Sequence, residues 1–324
     1  MNRGQLFPSR GWTLIELLVA MTLSLLVIAG IGQIYLAAKR SYDIQTNLAQ
    51  IQDVGRYVVD VLTQDIHNAG YWGLMNMNAA PAINPIIAPD NCSNSNINWG
   101  EMITRKIFGI NDGNGIGVYG CIGGDWLQGD VLTVRYADPV AITTNQNLPP
   151  PAPPASDPYD PSRLYIRTAP LQGSIVQGNP FGNAQNLVTS SVFSDHALVA
   201  HVYYVADPIS TECGDVPVFA RKTLDINGYP LKESLVNGVE QLQFQYGVDT
   251  DADGSVNRYL NANEVTAGNL WNQVRAVRFW VLVRANCQES GYTDTTSYLL
   301  GDFTYAPDDH YRRGLYSSTV ALRN

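Results

Sequence analysis

The feature that most constrains this chain is a long apolar run near its N-terminus. From Trp12 to Ala38 the only formal charge is Glu16. A helix of about 20 residues spans a hydrocarbon core of roughly 30 Å, and this run is longer than that. A secretory signal has only about 7–15 apolar residues, and its cleavage site follows them. The run therefore predicts a membrane-spanning α-helix over residues 12–38 that stays in the mature protein.

Glu16 is costly inside such a helix. A buried carboxylate costs about 2.5–3.5 kcal/mol on membrane-insertion scales, so an ionisable residue there is a functional hypothesis that needs a partner. If the chain is cut between Gly11 and Trp12, the new α-amino group lies one helical turn before Glu16. That amine, on the same or a neighbouring subunit, would neutralise the acid. In the alternative, Glu16 lies near the helix end and extends into the lipid headgroups.

Beyond Arg40 the sequence pattern becomes one-sided. Apolar residues recur in steps of three and four, with polar residues between them, which predicts an amphipathic continuation of the helix over residues 39–70. Gly70 is the expected stop, and Gly55 is expected to mark a bend. The apolar face needs a sheet to lie against. It consists of Ile44, Leu48, Ile51, Val54, Val58, Val61 or Leu62, and Ile66.

Residues 71–324 are predicted to form a β-rich globular domain. Short β-branched and aromatic segments separated by turn residues favour antiparallel strands, so the expected fold class is α+β, with the long helix packed on an antiparallel β-rich domain. Residues 71–129 are expected to be irregular, and the Pro-rich stretch 149–161 to be a stiff loop. Strands are expected at 103–110, 130–137, 163–168, 198–206, 216–224, 239–248, 274–285, 299–305 and 314–323.

Composition limits the partners and the compartment. The formal charge is −9 and there is no basic patch, which argues against nucleic-acid binding because such a surface repels phosphates. The cysteines show no C-x-x-C spacing, so a zinc or redox motif has little support. An even number in a periplasmic or surface compartment favours two disulfides, although three connectivities are possible. Sequence order suggests Cys92–Cys121 and Cys213–Cys287.

An acidic segment at 249–257 has the spacing of a calcium loop. Carboxylates at loop positions 1, 3 and 5 and a glycine at position 6 supply hard oxygen ligands and a sharp turn. The candidate ligands are Asp249, Asp251, Asp253, Ser255 through its carbonyl, and Asn257. Position 12 is Leu260, so this is no complete EF-hand, and Glu264 or a nearby Asn would have to close the shell. The alternative is a solvated acidic turn.

Patterns typical of enzymes are weak in this chain. Residues 115–120 match G-x-G-x-x-G, but the Gly-rich residues that follow do not start a helix, as a dinucleotide site requires. Ser194, Asp195 and His196 are neighbours in sequence, which gives no triad geometry, and the histidines show no metal spacing. We therefore expect no enzymatic activity and no cofactor other than calcium.

The N-terminal segment resembles the class III signal of type IV prepilins and pseudopilins. The resemblance rests on a short basic leader ending in Gly11, an aromatic residue, Thr-Leu-Ile-Glu and an apolar helix. It implies that prepilin peptidase removes the leader, residues 1–11, and methylates the new N-terminus at Trp12. It also implies that Glu16 guides subunit docking. Trp12 stands where the family usually has Phe.

The C-terminal part is similar to PilW-type minor pilins, in the segments 236–246, 274–278, 312–313 and 319–324. The resemblance implies a structural role in type IV pilus assembly, in priming or in the tip complex. The implied partners are other minor and major pilins, the prepilin peptidase, the inner-membrane assembly platform and a tip adhesin. The protein would start as a single-pass inner-membrane protein with a periplasmic domain and then enter a surface pilus. The alternatives are a type II secretion pseudopilin and a pilin-anchored adhesin or ligand-binding module.

Overall fold

The computed structural model describes residues 11–75, 92, 105–113, 119–145, 157–183 and 186–323. The predicted leader, apart from Gly11, lies outside this description, as do residues 103–104, the Gly-rich residues 115–118 and residues 149–156 of the predicted Pro-rich loop. The chain divides into two compact units, Met1–Ala49 and Gln50–Asn324.

Helix α1 is a single element of 55 residues, Leu14–Asn68. It confirms the predicted helix, including its end, because Gly70 adopts a φ of +84° that favours glycine and stops the helix. In the second unit, α1 buries one stripe of residues at helical spacing, and Leu62 rather than Val61 is the fully buried member. The stripe comprises Ile51, Val54, Gly55, Val58, Leu62, Asp65 and Ile66.

Gly55 has a role other than the expected bend. A Cβ atom at this position would lie 2.2 Å from the ring of Tyr316, far inside van der Waals contact. The helix continues through the residue without interruption. Gly55 is therefore the point at which an aromatic ring from the C-terminal strand packs directly against the helix backbone.

The first sheet has seven strands, and all its pairings are antiparallel. The long strand β5 pairs with β2 along one edge, while its other edge pairs first with β3 and then with β6. The strands are β1 (Ile107–Ile110), β2 (Trp126–Asn145), β3 (Leu164–Ala169), β4 (Gln172–Gln177), β5 (Phe193–Thr211), β6 (Gly214–Leu224) and β7 (Pro230–Asn237).

The second sheet has the order β13-β10-β8-β9 and is also antiparallel. It shares one hydrophobic core with the helix stripe and the first sheet. Its strands are β8 (Val239–Val248), β9 (Arg258–Leu260), β10 (Val274–Arg284) and β13 (Arg313–Ala321). A short helix, α2 (Ala262–Ala267), and a 3₁₀ turn (Trp271–Gln273) connect β9 to β10, and a hairpin of β11 (Tyr298–Leu300) and β12 (Phe303–Tyr305) precedes β13.

The predicted antiparallel α+β class is confirmed, but several strand bounds differ. Strands β2 and β5 are much longer than expected, because their mutual pairing continues through several register shifts. The expected strand 299–305 was wrong: Gly301, with a φ of +66°, turns the chain into the β11–β12 hairpin. Strands β4, β7 and β9 were not predicted. The two faces of β2 are both buried over 130–137, so its alternating pattern does not mark a solvent-facing side.

The C-terminus is attached to the end of α1. Arg323 donates its backbone N–H to the carbonyl of His67 at 2.9 Å, and its guanidinium lies 4.5 Å from the centre of the Tyr71 ring. Leu322 is buried in the main core. The last strand is thus part of the surface that holds the helix in the second unit.

Candidate functional site

The start of α1 places Glu16 in the first helical turn. Thr13 precedes the helix, and its hydroxyl accepts the Glu16 backbone N–H at 3.3 Å. The sequence Thr13-Leu14-Ile15-Glu16 is therefore also a capping pattern, a signal that the sequence analysis did not use. An acid in the first turn is favoured by the positive end of the helix dipole. Gly11 and Trp12 are both exposed.

The first part of α1 is apolar and exposed all round. Every described residue from Gly11 to Asp43 is exposed. Among the described residues, α1 is the one helix with the length and hydropathy to cross a membrane. The exposed side chains include Leu14, Ile15, Leu18, Leu25, Ile28 and Ile34. Such a surface needs a lipid or protein environment, because apolar patches of this extent are costly in water.

The acidic loop connects β8 to β9. Asp249 directly follows the buried strand β8 and is 2 % exposed, whereas Asp251 and Asp253 are exposed. One carboxylate oxygen from each of the three aspartates lies within 4.8 Å of the others. The structure thus brings together the three predicted carboxylates. Ala252 and Gly254 take positive φ values of 62° and 89°, which make the tight turn between them.

Other loop residues form internal hydrogen bonds. The Asn257 amide oxygen accepts from the Thr250 backbone at 2.6 Å, and its NH₂ donates to Asp251 at 3.2 Å. Asp253 accepts the backbone N–H of Ser255 at 2.7 Å. Glu264 lies outside the acidic group: its carboxylate accepts the backbone N–H of Asn261 in the capping box of α2.

The structure contains a buried polar cluster around Asp65 that was not predicted from the sequence. The Asp65 carboxylate accepts hydrogen bonds from Tyr136 at 2.7 Å and from Tyr203 at 2.6 Å, and it is paired with the His201 imidazole. Arg221 lies beside the cluster, 3.4 Å from the Tyr203 hydroxyl. The helical spacing of Asp65 could have indicated its burial, because it lies three residues after Leu62 and therefore on the buried face of α1.

The cluster favours the ionised acid and the neutral phenols. Burial opposes ionisation of Asp65, but hydrogen bonds from His201, Tyr203 and Tyr136 and the nearby His201 charge hold its pKa below the ordinary value. Burial, together with the neighbouring Asp65 charge, raises the pKa of Tyr203 well above its ordinary value. The cluster therefore fixes an anion on the helix to donors on the sheet.

A cavity of about 230 Å³ lies next to this cluster. Its lining includes Tyr136 and His201, together with Asp138, Arg163 and Asp225. Pockets for drug-sized ligands measure about 300–1,000 Å³, so this cavity is small for a ligand-binding module.

Both cysteine pairs that sequence order suggests are disulfides in the structure. Cys92 is joined to Cys121, and Cys213 to Cys287. Cys213 lies in the turn between β5 and β6, and Cys287 follows β10, so the second disulfide links the two large sheets.

Ser194 and His196 lie within hydrogen-bond distance, at 2.9 Å, on one face of β5. They are 3 % and 2 % exposed, and the other ring nitrogen of His196 contacts the Asp138 carbonyl at 2.7 Å. Asp195 points elsewhere, to a bidentate pair with Arg167. The three residues thus form two separate structural contacts and not a triad with access for a substrate.

Two family models match the chain. Residues 202–324 match the model described as Type IV Pilus-assembly protein W, and residues 7–32 match the Prokaryotic N-terminal methylation motif. The first match covers the second half of β5 and all of β6 to β13, and therefore the whole second sheet. The second covers Gly11, Trp12 and Glu16. No curated protein and no solved structure is significantly similar to the chain.

Proposed function

Since the chain is a PilW-type minor pilin that takes part in type IV pilus assembly, we propose that it enters a priming or tip complex through its N-terminal helix. Prepilin peptidase would cut after Gly11 and methylate Trp12. The processed subunit would then leave the inner membrane and bury its helix among those of other minor and major pilins, on the assembly platform that builds the fibre.

The observation that carries this proposal is the exposed apolar surface of α1. Over residues 14–42 no side chain is buried within the chain. In the membrane this surface is covered by lipid, and in a fibre it would be covered by neighbouring helices. Exchange of one apolar environment for the other changes little in hydrophobic free energy, so the direction of assembly must come from other contacts.

Glu16 would supply one such contact. Its carboxylate is the only formal charge from Trp12 to Ala38. Processing would create a positive amine at Trp12, and an acid–amine pair in a helix bundle is strengthened by the low dielectric. A subunit that docks out of register would leave the carboxylate unpaired, so the pair favours one axial position.

The size of the second unit supports a terminal position. Helices in a bundle pack with axes about 8–10 Å apart. A globular unit the length of Gln50–Asn324 has a radius of gyration of roughly 19 Å. Units of this size crowd one another along a fibre, and the crowding is least at its end, where a tip adhesin could also bind.

Processing can be tested first, by intact-mass and N-terminal analysis of the protein expressed with and without prepilin peptidase. The expected result is loss of residues 1–11 and one added methyl group on Trp12, only when the peptidase is present. A Gly11→Leu variant is the control and should remain uncut. Cleavage after the apolar run would contradict the proposal.

The Glu16 contact requires a variant that separates charge from helix capping. Glu16→Gln keeps a residue that suits the third helical position of a capping box but removes the charge. We expect a strong loss of incorporation into pili. Thr13→Val removes the capping hydroxyl and should cost only about 1 kcal/mol of helix stability. Wild-type incorporation of Glu16→Gln would overturn the pairing role.

The terminal position can be tested by immunogold labelling of sheared pili with an antibody against the second unit. Label at one end of each fibre is expected. Regular label along the fibre would contradict a tip position while leaving the assembly role intact. A subunit found only in a secretion pseudopilus would favour the pseudopilin alternative.

A further inference from the structure

The acidic loop 249–257 contains a buried acceptor that its own hydrogen bonds leave unpaired. Asp249 is 2 % exposed, and its Oδ2 accepts from the Gly254 backbone at 3.0 Å and from Arg275 at 3.3 Å. Its Oδ1 is buried and accepts no hydrogen bond from the residues that the structure describes. A buried carboxylate oxygen without a partner is rare, and each case needs an explanation such as an ion or a water.

The surroundings of Asp249 are acidic. Carboxylate oxygens of Asp249, Asp251 and Asp253 lie within 4.8 Å of one another, so these negative groups converge on one point. The neighbouring cation, Arg275, contacts Asp249 and leaves the two exposed aspartates without a contact to it in the described hydrogen bonds and ion pairs. The loop therefore combines a buried aspartate that has one unpaired oxygen with two exposed acids whose carboxylate oxygens lie within 4.8 Å of an oxygen of that aspartate.

We infer that this loop binds one calcium ion. The converging ligand atoms are all oxygens, which suit calcium or magnesium better than zinc, and they lie in an irregular loop. Such an arrangement suits the flexible six- to eight-fold coordination of Ca²⁺ better than the strict octahedron of Mg²⁺. Asp249, Asp251 and Asp253 each supply a carboxylate oxygen, and Ser255 supplies its backbone carbonyl.

Asn257 and Glu264, which the sequence suggested as ligands, support the loop and the neighbouring helix instead. Asn257 holds Asp251 in place through its NH₂ group, while its oxygen is used by Thr250. Glu264 caps α2. The remaining coordination positions are taken by water, which is consistent with the weak affinities, about 10⁻⁴–10⁻³ M, of extracellular calcium modules. The bound ion fixes the turn that joins β8 to β9.

The test uses the full-length processed chain in detergent, first stripped with EGTA and then titrated with CaCl₂. We expect about one Ca²⁺ per chain by calorimetry. We also expect a rise of about 3 °C or more in the unfolding midpoint at a calcium concentration tenfold above Kd. The same titration with MgCl₂ should give at least tenfold weaker binding.

Variants identify the site. The double variant Asp251→Asn, Asp253→Asn should lower calcium affinity more than tenfold, and in EGTA its unfolding midpoint should equal or exceed that of the wild type because repulsion is relieved. Asp225→Asn is the matched control. Asp225 lies in the turn between β6 and β7 and accepts backbone N–H groups of Asn227 and Tyr229, both at 2.8 Å. It should bind calcium like the wild type.

Two results would overturn the inference: no binding by the wild type up to about 10 mM calcium, well above the affinity range of extracellular sites, or equal binding by the double variant and the wild type. If the double variant does not fold, Asp253→Asn alone gives the same comparison, since the new amide oxygen can still accept the Ser255 backbone N–H.

Discussion

Asp65 is the residue that most directly fixes the helix to the sheet. It lies in α1, yet its three donors, Tyr136, His201 and Tyr203, come from β2 and β5. We expect Asp65→Asn to lower the free energy of unfolding by about 1.5–3 kcal/mol, because charge-assisted hydrogen bonds are replaced by neutral ones. Urea unfolding of the chain at neutral pH measures this loss.

The same residue contributes to acid sensitivity. The folded pKa of Asp65 is lowered from the ordinary value of 3.8. Its stabilisation is therefore complete above about pH 4 and is lost as the pH falls through the folded pKa. The difference in stability between the wild type and Asp65→Asn should shrink below about pH 4. A difference that stays constant down to pH 2 would show that the carboxylate is not stabilised as an anion.

Gly55 shows how a poor helix former can be required. Gly55→Ala should gain up to about 1 kcal/mol of helix propensity but lose about 1–3 kcal/mol from overpacking against Tyr316. We expect a net loss of stability, measured by urea unfolding. Tyr316→Ala in the same chain should remove the clash, so that Gly55→Ala becomes neutral or stabilising there. Equal effects in both backgrounds would contradict the contact.

At the scale of elements, β5 organises the first sheet. One edge pairs with β2 from Phe193 to Ala206, and the other edge is divided between β3 and β6. Its C-terminal end then turns at Cys213, whose disulfide with Cys287 reaches the chain that leaves β10. The seven-stranded sheet is thus linked covalently to the sheet that carries the C-terminal strand.

The Cys213–Cys287 disulfide should therefore be a large contributor to stability. It closes a loop with a sequence separation of 74 residues. The chain-entropy relation gives about 4 kcal/mol for a loop of this length. We expect Cys213→Ser, Cys287→Ser to lower the free energy of unfolding by about 2–5 kcal/mol in urea. Dithiothreitol reduces both disulfides and should therefore destabilise the wild type more than the double substitution does. It should not affect a variant that lacks all four cysteines.

The elements predicted best have strong periodicity. Strand β8 agrees with its expected bounds, and β10 and β13 agree within two residues. The strands that the sequence analysis missed, β4, β7 and β9, are edge strands with polar or partly exposed residues. Their strand conformation is imposed by the partner they pair with, which local sequence does not specify.

At the scale of the whole molecule, the chain consists of two compact units whose surfaces suit different environments. The second unit, Gln50–Asn324, contains the main hydrophobic core, whereas residues 14–42 of the first are exposed. We expect a chain that begins at Asp43 to fold without detergent and to remain monomeric, because Ile51 and the rest of the stripe are retained. Near-UV circular dichroism and size-exclusion chromatography measure this.

The processed full-length chain is the control and should require detergent to remain monomeric. An unfolded or aggregated fragment would show that the second unit depends on the apolar segment. Restoring residues 12–42 should then recover the fold.

The sequence alone determined the long apolar helix, its amphipathic continuation, the position of Glu16 and the spacing of the acidic loop. These features are local, since each depends on residue types at fixed intervals along one segment. Tertiary structure alone decided that Asp65 is held by Tyr136, His201 and Tyr203, that Gly55 admits Tyr316, and that one oxygen of Asp249 is buried with no partner among the described residues. The contacts of Asp65 and Gly55 join residues far apart in sequence, and the burial of Asp249 likewise depends on the fold around it. Their energy depends on which polar and apolar groups the folded chain removes from water together, and no single segment contains that information.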